Sequence, residues 1–78
     1  MSESTENPRW LTVAKAAHEL EISSLSLYRA IREGDFPAMR VGRRIFVPAG
    51  ALEGLAAEAL KRGVLIDAKD WRELLALG

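Results

Sequence analysis

Residues 12–34, TVAKAAHELEISSLSLYRAIREG, contain two capped amphipathic segments separated by about three residues, and this spacing restricts the fold more than any other feature of the chain. Thr12 is a good N-cap, and Val13, Ala16, Ala17 and Leu20 recur at helical spacing, so a first helix is predicted over Val13–Leu20. EISS interrupts the pattern. Ser23 or Ser24 then caps a second helix, which Gly34 stops as a residue suited to the left-handed conformation. Leu27, Ala30 and Ile31 share one face of that helix, whereas Ser24, Ser26, Arg29, Arg32 and Glu33 lie away from it. Two helices joined this way form a helix-turn-helix.

The next stretch, AMRVGRRIFVP, has two short β-rich runs around a Gly-containing two-residue turn, the pattern of a hairpin. Arg43 falls at its tip, with Arg40 and Arg44 flanking. Pro48 closes the second strand because it has no N–H to give a ladder. From Ala49 to Arg62 an apolar stripe of Leu52, Leu55, Ala56, Ala59 and Leu60 predicts a third helix, stopped by Gly63. Gly54 inside it costs up to ~1 kcal/mol relative to alanine, which implies either a loose helix or a close neighbour. Asp67 is placed to cap a last helix, with Asp70 in its first turn and Trp71, Leu74 and Leu75 as its apolar face. The fold class is therefore mostly α with a small β-hairpin.

Length and charge narrow the function. Seventy-eight residues make one domain, and a domain this small buries only ~60% of the surface its unfolded chain exposes. Hydrophobic residues at 49% and charged residues at 28% are ordinary for a globular chain. Residues 1–8 are polar and acidic and are expected to be a disordered leader; no apolar run approaches the ~20 residues a membrane span needs, so no membrane partner and an intracellular, cytoplasmic location are expected. The absence of cysteine excludes disulfides and thiolate metal cages. With a single histidine, His18, expected at the surface, and neither a glycine-rich phosphate loop nor metal-ligand spacing, no catalytic, cofactor-binding or metal-binding residue is expected and the chain is not read as an enzyme.

The formal net charge is zero but unevenly spread. Residues 9–48 carry seven bases against four acids, net +3, whereas residues 1–8 are net −2 and residues 49–78 net −1. Positive charge therefore gathers around the helix-turn-helix and the hairpin. A helix fits the major groove of a duplex, and arginine enters a narrow minor groove, attracted by its negative potential. The alternative is a solvated hairpin whose charges protect an edge strand from aggregation. The helix-turn-helix directly before the basic hairpin favours double-stranded DNA as partner.

Within Trp10–Leu55, the run Tyr28, Arg29, Ile31, Gly34, Pro37, Ala38, Arg40, Val41, Gly42, Arg43, Arg44 and Pro48 resembles the excisionase-type, MerR-like winged-helix DNA-binding domain, over 46 of 78 residues. The resemblance implies that the second helix is the recognition helix and the hairpin the wing. Members include phage and plasmid excisionases, also called recombination directionality factors, and small transcription regulators. Carried onto this chain, Ser23, Ser24, Leu25 and Ser26 open the recognition helix toward the groove, and Arg29 and Arg32 reach base edges or backbone. Tyr28 has two candidate uses, its ring sealing the core and its hydroxyl meeting a phosphate. Thr12 and Lys15 are candidates for holding another phosphate at a helix N-terminus, and Arg40, Arg43 and Arg44 form the wing.

Two departures fall in the helix-turn-helix. Glu21 occupies a position where the family usually has glycine, so a differently built turn is expected. Ser24 and Leu25 stand where arginine or lysine is common, which weakens phosphate or guanine contacts there and leaves leucine free to touch a thymine methyl. Phe46 also occupies a strand position that is often polar in the family.

The resulting expectation is a winged helix-turn-helix over residues 9–62 and a helical extension over residues 63–78. That extension either roofs the core with Leu65, Ile66, Trp71, Leu74 and Leu75 or leaves a face for a neighbour. The expected function is that of a phage-type excisionase in a bacterial host cell, binding repeated sites, bending DNA and promoting integrase-mediated excision, with an integrase and neighbouring copies of itself as partners. A small MerR-like transcription regulator and a protein-interaction adaptor are the alternatives.

Overall fold

A computed structural model describes residues 9–76; the expected leader over residues 1–8 lies outside the described residues. Strand β1 (Trp10–Thr12) leads directly into helix α1 (Val13–Leu20), followed by α2 (Ser24–Arg32), β2 (Met39–Val41), β3 (Arg44–Pro48), α3 (Ala49–Arg62) and α4 (Trp71–Ala76), the last preceded by a 3-10 turn over Ala68–Asp70. The chain is thus mostly helical with a small antiparallel sheet, a helix-turn-helix with a wing and a C-terminal helical extension. Helices α1 and α3 have the predicted limits, and Ser23 is the cap of α2.

β1 is an element the helical and hairpin patterns do not reveal. It pairs antiparallel with β3, Leu11 opposite Val47, and converts the expected two-stranded hairpin into a three-stranded sheet in the order β1-β3-β2. The ladder runs on past Pro48, where the Ala49 N–H donates to the Arg9 carbonyl at 2.9 Å. Pro48 therefore ends the strand and sets the extended entry to α3, with φ −68° and no side-chain cap.

The core lies between the sheet and the helices. Leu11 and Val47 project from the sheet onto Ala16, Ala17, Leu27, Phe36, Leu55 and Leu74. Alanines in α1 let α2 approach closely, so Leu27 is almost completely enclosed. The stripe predicted for α3 is partly displaced: Ala51 and Leu55 are buried, Ala56 is exposed, and Leu60 is 84% exposed. Gly54 faces a close neighbour rather than a loose helix, since a Cβ there would stand 2.8 Å from Leu75 Cδ2 of α4.

The extension closes the open side of this core with Leu74, assisted by Ile66, Trp71 and Leu75. Leu65 takes no part in that roof: it is 98% exposed, next to an exposed Val64. Asp67 caps the 3-10 turn rather than α4 itself, its carboxylate accepting from the Lys69 N–H at 3.0 Å. Trp71 does more than fill space. Its indole N–H donates to the Gly34 carbonyl at 3.0 Å, joining the extension to the end of α2.

Helix ends supply the turn chemistry. At the end of α2 the Gly34 N–H reaches the Ile31 carbonyl and the Asp35 N–H reaches the Ala30 carbonyl, with Gly34 at φ 80°, a Schellman motif. The same motif ends α1, where the Glu21 N–H reaches His18 and the Ile22 N–H reaches Ala17. Glu21 holds the left-handed position, φ 59° and ψ 40°. Glu21 thus stands in a backbone conformation that favours glycine and bears local strain there.

Candidate nucleic-acid interface

Thr12, at the β1–α1 junction, folds its Oγ1 over the start of α1 and accepts from the Lys15 N–H at 3.1 Å. Both side chains are exposed. Because Thr12 is also opposite Phe46 in the sheet register, the first turn of α1 is anchored beside the wing strand.

Ser23 caps α2 by accepting from the Ser26 N–H at 3.0 Å, and its hydroxyl donates to Ser26 Oγ at 2.9 Å. α2 has no acidic residue in its first turn and carries Arg29 and Arg32 toward its end. Ser24, Leu25, Ser26, Tyr28, Arg29 and Arg32 are all exposed, while Leu27 turns inward and Ala30 and Ile31 are partly covered. Tyr28 is 42% exposed and outside the core, so it does not seal the interior as one of its two expected uses required.

The wing is a two-residue turn, with Val41 opposite Arg44 in the register and Gly42 and Arg43 between them. Gly42 has φ 63° and Arg43 lies outside the positive-φ region, the pattern of a type II′ hairpin turn with glycine first. Arg40, Arg43 and Arg44 are exposed. Alternation along β3 sends Val47 to the core and puts Arg44 and Phe46 on the opposite face, where the Arg44 guanidinium lies 5.8 Å from the Phe46 ring centroid. An apolar residue at position 46 thus supports an arginine of the wing.

The structure groups the twelve candidate residues into three exposed sets, at the start of α1, along α2 and around the wing turn. Among the described residues no hydrogen bond links the α2 serines to the hairpin, and no carboxylate pairs with Arg29, Arg32, Arg40, Arg43 or Arg44; an ion pair does join Arg62 to Glu58 on α3. Guanidinium groups with no carboxylate partner among the described residues can meet an anionic partner without first breaking a described internal pair. Phe46 and Gly42 are contributors that residue chemistry alone did not place in the site, although the glycine within the arginine run was a visible signal of the turn. Among the described residues there is no cluster of His, Asp and Glu able to hold a metal ion and no helix long and apolar enough to cross a membrane.

A short helix pair against a three-stranded sheet, with an arginine-bearing β-turn, defines the class of winged helix-turn-helix proteins. The chain belongs to the helix-turn-helix domain family, whose model matches residues 10–60. It is also 40% identical over 45 residues to two proteins of Mycobacterium tuberculosis, from strains CDC 1551 and H37Rv, that carry a provisional DNA-binding name. That match covers 58% of this chain and 58% of each relative, so the similarity spans little more than half of either protein. No solved structure matches the chain significantly.

Proposed function

We propose that this chain binds double-stranded DNA, α2 presenting its serine-led end to the major groove and the wing arginines engaging the backbone and minor groove. The observation that carries this reading is the set of exposed arginines on α2 and the hairpin, free of described carboxylate partners. The provisional DNA-binding name of the two mycobacterial relatives supports it. Phosphate contacts set affinity, and base contacts from the helix set sequence preference.

The biological role we infer is that of an excisionase of the MerR-like winged type. Copies bind adjacent repeats near an attachment site, bend the DNA and help an integrase assemble the excisive complex. This finer assignment rests on the resemblance of Trp10–Leu55 to that family. One winged helix offers a footprint of only ~600–1,000 Å², so useful specificity calls for neighbours on the DNA. Exposed Leu60, Val64 and Leu65 favour a role in protein contact and are the specific support for an adaptor function.

Equilibrium binding to DNA from the protein's own locus, as a function of salt, tests the core of this reading. Neutralising about three to five phosphates gives a slope of log K against log[salt] of ~−3 to −4.5. Arg43→Ala should flatten that slope by about one contact, whereas Arg29→Ala should change sequence preference. Salt-insensitive affinity, or no shift with any duplex, leaves the adaptor reading. DNA binding without stimulation of excision on attachment-site DNA leaves a small transcription regulator.

A further inference from the structure

α2 begins with an exposed surface that has no charged side chain: Ser23, Ser24, Leu25 and Ser26 come before Arg29. The hydroxyls of Ser23 and Ser26 are already bonded to each other at 2.9 Å, and Ser23 also holds the cap. This leaves Ser24 and Leu25 as the free side chains of the first turn. Leu25 is 62% exposed and belongs to no part of the core. Tyr28, three residues on and therefore its neighbour on the helix surface, is exposed as well. The first turn of α2 is consequently uncharged, with Leu25 as its exposed aliphatic side chain, and positive charge begins only with Arg29, one turn later.

In the major groove the apolar feature of a base edge is the C5-methyl of thymine; the other edge groups are hydrogen-bond donors and acceptors. An exposed leucine has nothing to offer those groups and would strip them of water. Resting on the DNA-binding reading above, we propose that Leu25, with Tyr28 beside it, is a specificity-determining residue that selects thymine by contact with its methyl group.

The test uses the full chain and a duplex that the protein itself selects from a random-sequence library. Each thymine of that duplex is replaced in turn by deoxyuridine, which removes the methyl and keeps every hydrogen-bonding group. At a contacted position the affinity should fall about fourfold, the worth of one buried methyl-sized group. Leu25→Ser should lose the same factor on thymine DNA, show no further loss on the deoxyuridine duplex, and leave the salt slope unchanged because no phosphate contact is removed. Tight binding that is indifferent to deoxyuridine at every position overturns the assignment while leaving DNA binding intact. Persistence of the full thymine preference in Leu25→Ser also overturns it. Failure to bind any duplex at low salt defeats the underlying DNA-binding reading. The deoxyuridine series uses the unaltered protein, so its outcome does not depend on the folding of a variant.

Discussion

Replacing Glu21 with glycine should stabilise the protein. The same Schellman geometry ends α1 and α2, yet α2 uses Gly34 at φ 80° and α1 uses Glu21 at φ 59°. A residue with a Cβ in the left-handed region costs about 1–2 kcal/mol, and glycine would relieve that cost. Glycine also gives the unfolded chain more freedom, which offsets about 0.5–1 kcal/mol. The conformational part of the gain, apart from the loss of the carboxylate that both this variant and Glu21→Gln share, is about 0.5–1 kcal/mol. At an unfolding entropy near 2.1 cal/mol/K per residue, 78 residues give about 0.16 kcal/mol/K, so the gain corresponds to a rise in Tm of about 3–6 °C. Glu21→Gln separates strain from charge, because it keeps the Cβ and removes the carboxylate from the negative end of the α1 dipole, a change worth about 0.3–1 kcal/mol by itself. Thermal unfolding followed by circular dichroism should therefore rank Glu21→Gly above Glu21→Gln, and Glu21→Gln at or above the parent. Equal Tm values for the two variants would refute the strain argument and leave electrostatics as the whole effect.

Trp71→Phe should retain most of the packing under α4 while removing the indole bond to the Gly34 carbonyl. The expected loss is about 0.5–1.5 kcal/mol, read as a lower urea midpoint with an unchanged m-value; an unaltered midpoint would show that this bond does not hold the extension in place. The two leucines of the C-terminal extension provide a contrast, because Leu74 is buried and Leu65 is almost wholly exposed. Leu74→Ala should cost about 2–5 kcal/mol and Leu65→Ser less than about 0.5 kcal/mol, and a large loss at Leu65 would mean that it is covered by another molecule in solution.

The helices and the wing were legible because their signals are local. Thr12, Ser23 and Gly34 act within one turn of themselves, and the Gly42 turn needs only its two strands. β1 was hidden because three residues are too few to show a period, and its partner lies more than thirty residues later, with Trp10 opposite Pro48. Apolar character misled at Leu60 and Leu65, since hydrophobic residues are often left at the surface of a small domain and only packing decides which are covered. Periodicity put Leu60 on the α3 stripe, but α4 crosses that helix where Gly54 admits Leu75. The candidate site residues were readable as residue types. Helical periodicity also placed Ser24, Ser26, Arg29 and Arg32 away from the buried face, but it did not decide Tyr28, whose ring and hydroxyl suit either side of the helix.

β3 is the element that links these parts. It pairs with β1 on one edge and β2 on the other, so Thr12 is held opposite Phe46, and Phe46 lies beneath Arg44. At the far end of α2, Trp71 binds the Gly34 carbonyl. The exposed side chains of the proposed interface thus stand on a backbone whose own hydrogen bonds are closed by core and sheet, which separates stability from binding at most positions. Arg29, Arg32, Arg40 and Arg43 can be altered with little consequence for the fold, so a loss of binding there reports contact with the partner. Thr12 and Ser23 differ, because each hydroxyl caps a helix and its removal costs about 1 kcal/mol of stability. For Thr12→Ala and Ser23→Ala, only the part of a binding loss that survives correction for the unfolded fraction can be assigned to the interface.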